Sequence, residues 1–114
     1  MLYGESYGGF LAVSIAGDDR RVAALSVYGT ALPDNFHPSL RQLPPLLIQQ
    51  GQDDTIVPVQ GALRLRDTWL RMNGRVRYVS YAGVGHYFSE ETRKPLLENT
   101  RLWLAHPAAD TNAK

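Results

Sequence analysis

The sequence contains no cysteine. That excludes disulfides, thiolate metal sites and a thiol nucleophile. Charge of one sign is also lacking: 12 Lys and Arg face 11 Asp and Glu, for a formal net charge of +1. Such a balance gives no general attraction to nucleic acid or to a membrane surface. No apolar run approaches the roughly 18 residues of a membrane span. The opening Met1-Leu2-Tyr3-Gly4-Glu5-Ser6 has neither the basic region nor the apolar stretch of a secretory signal. A cytoplasmic location is the default expectation.

What is present is the composition of a small globular domain. The chain has 114 residues, 44% of them apolar. A domain of this size buries roughly two-thirds of its unfolded surface, so a real core is possible. No repeat, low-complexity tract or linker divides it, and residues 1–106 read as one domain with 107–114 as a tail.

The pattern alternates strands and helices. Leu2-Tyr3 reads as the stub of a strand. Tyr7 to Ala16 is apolar and rich in small residues, and Gly17-Asp18-Asp19 ends it, which predicts a short helix lying close on a sheet. Val22 to Tyr28 is one apolar run, as a parallel strand buried on both faces should be. Residues 29–44 carry glycine, prolines, Asp34 and Asn35, and read as a loop or short excursion. Leu46-Leu47-Ile48 and Val76 to Tyr81 are further strands, with a helix between them from Val59 to Met72. A last helix runs to Ala105, with Leu97, Thr100 and Leu104 as its inner stripe and Trp103 alongside. Such alternation implies an α/β fold, a parallel sheet with helices on its faces. Ligands of such sheets bind beyond the carboxyl ends of the strands.

Three loops that follow strands carry chemistry. The first is Gly4-Glu5-Ser6-Tyr7-Gly8. A Gly-x-Ser-x-Gly between strand and helix is the nucleophile-elbow pattern. Ser6 would stand strained at a helix N-terminus, where the dipole favours developing negative charge. The Tyr7 N–H would offer one oxyanion donor. Gly4 and Gly8 are expected to be glycine because a Cβ there would meet the neighbouring strand or helix.

The second loop is Gly51-Gln52-Asp53-Asp54-Thr55-Ile56-Val57-Pro58. An acid here could orient a histidine. Chemistry alone does not separate Asp53 from Asp54, and most loop aspartates merely close turns. The third is Gly83-Val84-Gly85-His86-Tyr87-Phe88, which would carry His86 over the strand ends. His37 lies in the proline-rich excursion and His106 closes the last helix, so both read as surface residues. A serine, an acid and a histidine thus follow separate strands in the order Ser…Asp…His, the chain order of the α/β-hydrolase triad.

These residues resemble the α/β-hydrolase superfamily, and within it the prolyl-oligopeptidase and dienelactone-hydrolase branches. GESYGGFLA is similar to the elbow Gly-x-Ser-Tyr-Gly-Gly, PLLIQQGQDDTIVP to Pro-x-Leu-x-x-His-Gly-x-x-Asp-x-x-Val-Pro, and YAGVGHYF to Tyr-x-x-x-Gly-His-x-Phe. The resemblance covers residues 1–105. It implies Ser6 as nucleophile, Asp54 rather than Asp53 as orienting acid, and His86 as base. Gln50 stands where the family usually has histidine, a position expected to be structural.

Dienelactone hydrolases proper use a cysteine nucleophile, which this chain lacks. With Asp54 48 positions after Ser6, spacing that is short for a peptidase but similar to dienelactone hydrolases and small carboxylesterases, the resemblance implies a serine enzyme acting on small acyl esters. It implies no metal or organic cofactor. Two other readings stand beside it: the catalytic half of a prolyl-oligopeptidase-type peptidase that needs assembly, and a hydrolase-derived binding module without turnover.

The family places several strands ahead of the elbow, of which the sequence holds only Met1-Leu2-Tyr3. A truncated α/β-hydrolase fold with a small sheet is therefore expected, its elbow strand forming an open edge. An unpaired edge invites pairing with another chain, here a second copy. Residues 29–44 are the only candidate for a cap. Tyr28, Phe36, Tyr87 and Phe88 are the candidate pocket walls. The arginines between Arg64 and Arg77 read as a solvated helix face, with no nucleic-acid motif.

Overall fold

A computed structural model of the chain describes residues 1–107. Four parallel strands stand side by side in chain order: β1 (Leu2–Glu5), β2 (Leu25–Tyr28), β3 (Leu46–Gly51) and β4 (Val76–Tyr81). Helices α1 (Tyr7–Asp18), α2 (Val59–Arg71) and α3 (Glu90–Ala105) connect or follow them. The α/β sheet of the sequence reading is thus present, with β1 and β4 at its edges. The tail read over 107–114 lies, past its first residue, outside the described residues.

Register sorts the side chains by face, because successive residues of a strand point to opposite sides. Leu2, Leu25, Leu46 and Val76 align across the sheet. Val27 and Ile48 continue the same face. Ala12, Val13 and Ala16 of α1 and Ala62, Leu65 and Trp69 of α2 close over it as one core. The opposite face is more polar. Ser26 and Gln49 there meet Thr100 of α3, and the Gln49 amide also donates to Leu96 O at 3.1 Å.

Three expectations need correction. Strand β2 begins at Leu25, not Val22: the chain first closes a turn in which Val22 N–H donates to Asp19 O at 3.1 Å. The inner stripe of α3 is Leu96, Thr100 and Trp103, whereas Leu97 is 46% exposed. Thr100 is common to both stripes; with its hydroxyl on Gln49, the neighbours that face the sheet are Leu96 and Trp103 rather than Leu97 and Leu104. Residues 29–44 do not cap Ser6. Leu32, Phe36, Leu40 and Leu43 pack on the core, and Ser39 and Leu40 N–H donate to Gly17 O. The Phe36 ring stacks on Trp69 with centroids 5.8 Å apart. Gly17 and Ser6 sit at opposite ends of α1, about 16 Å apart at 1.5 Å per residue. Phe36 therefore walls the core, not a pocket at Ser6.

Candidate active site

The carboxyl ends of β1, β3 and β4 each deliver one of the three expected residues. Ser6 follows β1 directly and adopts φ 51° and ψ −117°. For a non-glycine residue this conformation costs roughly 1–3 kcal/mol and persists only where surroundings enforce it. They do so from both sides. Ser6 N–H donates to Tyr28 O at 2.9 Å. Ser6 O accepts from Gly9 N–H at 2.9 Å, Phe10 N–H at 3.3 Å and Thr30 Oγ1 at 3.0 Å. An N-cap serine usually turns its oxygen onto the first helical N–H groups. Ser6 makes no such bond. Its Oγ instead lies 3.0 Å from His86 Nε2.

The glycines around this turn are not equivalent. A Cβ on Gly4 would lie 2.5 Å from Gly8 O and 2.7 Å from Gly9 Cα, so the strand can approach α1 only as glycine. A Cβ on Gly8 would meet nothing within 4 Å, which corrects the steric expectation for that residue. The crowded helix position is Gly9, where a Cβ would overlap the Thr30 side chain.

Asp54, not Asp53, is the buried acid; Asp53 is exposed. Its Oδ2 lies 2.8 Å from His86 Nδ1, and its Oδ1 accepts from Ile56 and Val57 N–H at 2.9 and 2.8 Å. Burial pushes the carboxyl up. The Val57 N–H, the His86 ring and the Ile56 N–H outweigh it and hold the group below its ordinary value. Gln50 fastens the same loop, its amide donating to Val57 O at 2.8 Å and more distantly to Asp54 Oδ2 at 3.4 Å.

A group whose carboxyl is depressed in the folded state stabilises the fold above its unfolded value, near ~3.9, and loses that contribution as pH falls through the folded value. Wild-type melting temperature should therefore fall more steeply below about pH 4 than that of Asp54→Asn, which has nothing to titrate there. Parallel curves in thermal melts would show that Asp54 is not held ionised.

His86 is buried, and its loop lies on the end of β3. A Cβ on Gly51 would overlap Val84 O and Gly85 O, and Asp53 N–H donates to Val84 O at 2.9 Å. The ring's protonation follows from its partners. A carboxylate can only accept, so Nδ1 carries the proton toward Asp54 and Nε2 is left to accept from the Ser6 hydroxyl. Ser6, His86 and Asp54 are thus hydrogen-bonded in series.

The other candidates are placed differently. Tyr28 is buried, and its hydroxyl donates to His86 O at 2.7 Å, so it supports the histidine loop. Phe88 packs edge-on against Tyr28 and Tyr81, with centroids at 4.5 and 5.1 Å. Tyr87 is 79% exposed, with its ring 5.0 Å from that of His86. Among Tyr28, Phe36, Tyr87 and Phe88, it alone is largely exposed while lying beside His86. Tyr7 is also exposed, and its N–H and that of Gly8 have no backbone acceptor among the described residues, whereas Gly9 and Phe10 N–H are taken by Ser6 O. Cavities of about 650 and 740 Å³ lie around Leu40 and Leu43 and beside Ile15, and neither touches the three residues.

The structural place expected of Gln50 is its hold on the Asp54 loop; the contact of Thr30 with Ser6 is not legible from the chain. Thr30 sits in a loop without a motif, and only the fold brings it against Ser6.

A parallel sheet in chain order, with serine, acid and histidine at the carboxyl ends of its strands, defines an α/β hydrolase. Residues 1–113 match the dienelactone hydrolase family, and the chain belongs to that family. No curated protein sequence matches it. Its fold is similar to an α/β hydrolase enzyme from a Medee basin deep-sea metagenome library, with TM-score 0.71 and 17% identity, over 90% of this chain and 51% of that one. A thermophilic esterase of the Planctomycetes species Thermogutta terrifontis gives TM-score 0.72 and 16% identity, over 93% and 54% of the two chains. An α/β serine hydrolase homologue from Coxiella burnetii gives TM-score 0.62 and 28% identity, over 95% and 48%. The chain therefore spans about half the length of these structures.

Proposed function

We propose that this hydrolase cleaves small acyl esters with Ser6 as nucleophile, His86 as general base and acid, and Asp54 as the group that orients His86. The supporting observation is the series of hydrogen bonds, Ser6 Oγ to His86 Nε2 at 3.0 Å and His86 Nδ1 to Asp54 Oδ2 at 2.8 Å. These lie within the reach expected of an activated nucleophile. A binding module would have no use for a serine held in a strained conformation and turned away from its capping role.

In acylation, Ser6 Oγ attacks the ester carbonyl carbon while its proton passes to His86 Nε2. The carbonyl oxygen becomes an oxyanion, and the Tyr7 N–H at the start of α1 donates to it. The C–O bond to the alcohol breaks as His86 returns the proton to the leaving oxygen. Water then attacks acyl-Ser6 by the same relay, releasing the carboxylic acid and restoring the Ser6 hydroxyl. Asp54 stays ionised throughout and stabilises the imidazolium. Tyr87, exposed beside the His86 ring, is the proposed wall for the ester. Turnover of a chromogenic short-chain ester that is equal in wild type and Ser6→Ala would remove Ser6 from this role.

The open edge of β1 supports a second proposal, pairing with another copy. Among the described residues β1 hydrogen-bonds only β2 within the sheet, and an edge of unpaired backbone groups is a template for a further strand. Light scattering after size exclusion should then give about twice the 12.7 kDa of one chain. A folded, active monomer at all concentrations would contradict it.

A further inference from the structure

We propose that Tyr28, Gly29 and Thr30, at the carboxyl end of β2, form a bracket that sets the positions of both Ser6 and His86. This rests on the serine-hydrolase reading above. No motif marks these residues, and none of them takes part in the proton relay. They nevertheless touch the site from one continuous stretch of chain.

The grip on Ser6 has two points. Tyr28 O accepts the Ser6 N–H at 2.9 Å. The Thr30 hydroxyl, fully buried, lies 3.0 Å from Ser6 O and 3.2 Å from Tyr28 O. Ser6 O already accepts two helical N–H groups. A carbonyl offers two lone pairs, so Thr30 is not needed to satisfy this one. What it adds is direction. With the N–H held on one side and the carbonyl on the other, the peptide planes around the φ 51° residue cannot relax, and Oγ keeps its aim at His86.

The grip on His86 also has two points. The Tyr28 hydroxyl donates to His86 O at 2.7 Å. Gly29, with φ 61°, lies beneath the imidazole: a Cβ there would stand 3.1 Å from His86 Cε1 and 3.3 Å from Nδ1. Gly29 N–H is in turn fixed to Gln49 O at 3.1 Å. Tyr28 is the last residue of β2, which has neighbours on both sides, and Gly29 and Thr30 follow it directly, so the bracket starts from an inner strand of the sheet.

Ester kinetics on four proteins test this: wild type, Thr30→Val, Thr30→Ser and Tyr28→Phe. Thr30→Val keeps the shape and removes the hydroxyl. It should lower kcat by about tenfold to a hundredfold with KM nearly unchanged, as misplacement of a reacting group does. Thr30→Ser should recover most of that loss. Tyr28→Phe should lower kcat in the same way, since its ring packing is retained. Melting temperatures identify any variant that fails to fold, and Thr30→Ser and Tyr28→Phe then decide the matter. An active wild type equalled in kcat by every folded variant would overturn the bracket alone. So would a Thr30→Ser as impaired as Thr30→Val, since shape rather than the hydroxyl would then be the cause. An inert wild type would overturn the reading of Ser6, and the bracket with it.

Discussion

Ser6→Ala should lower kcat toward a short-chain ester by about a millionfold, His86→Ala by about as much, and the double variant no further. In the proposed mechanism the two act as one unit. Without the imidazole the hydroxyl keeps its proton and is a poor nucleophile. Without the hydroxyl the imidazole has nothing to deprotonate except water. Asp54→Ala should cost less, about 10⁴-fold, because it removes orientation and imidazolium stabilisation but leaves nucleophile and base in place. KM should change little, because none of the three side chains needs to hold the substrate before reaction. Steady-state kinetics on the four variants check this. Costs that multiply in the double variant would show that Ser6 and His86 act separately.

Gly4→Ala should destabilise the fold by about 3 kcal/mol or more, whereas Gly8→Ala should leave it within about 1 kcal/mol of wild type. In the Gly-x-Ser-x-Gly pattern the two glycines look alike. In the fold they are not. The three atoms nearest a Gly4 Cβ are Gly8 O at 2.5 Å, Gly9 Cα at 2.7 Å and Gly8 C at 2.8 Å, all backbone. No side chain can rotate aside, so β1 and α1 must separate, and the N–H and C=O bonds that hold Ser6 go with them. At Gly8 a methyl group would project into open space on the first turn of a helix, where alanine is the better former. Thermal melts should show Gly4→Ala lowered by at least about 10 °C and Gly8→Ala little moved. Equal losses in the two would mean that the approach of β1 to α1 is not what selects glycine at position 4.

Much of this site is legible in the chain because its chemistry is local. Ser6, Asp54 and His86 each sit in a short loop with glycines that the turn requires, and each loop follows a strand visible as an apolar or β-branched run. The parallel sheet follows from the same alternation. What the chain hides is whatever depends on one element meeting another. The inner stripe of α3 shares only Thr100 with the apparent one, because Thr100 is drawn to Gln49 across the sheet and brings Leu96 and Trp103 inward with it. Phe36 looks like a pocket wall in a proline-rich loop, and is core because Trp69, 33 positions later, offers it a ring. Gly9 is needed for Thr30, and Thr30 for Ser6, though neither contact follows from spacing. Tyr28 reads as an aromatic near the strand ends, but only the fold turns its hydroxyl onto the His86 carbonyl.

The most direct measurement is the intact mass of the protein after exposure to a fluorophosphonate. Such a reagent needs a serine activated by a base, and it reports that property without any assumption about the natural ester. One adduct is expected on the wild type, mapped by peptide mass to Ser6, absent from Ser6→Ala and formed far more slowly on His86→Ala. An unmodified wild type, or an adduct that persists in Ser6→Ala, would contradict the assignment of Ser6 as the nucleophile.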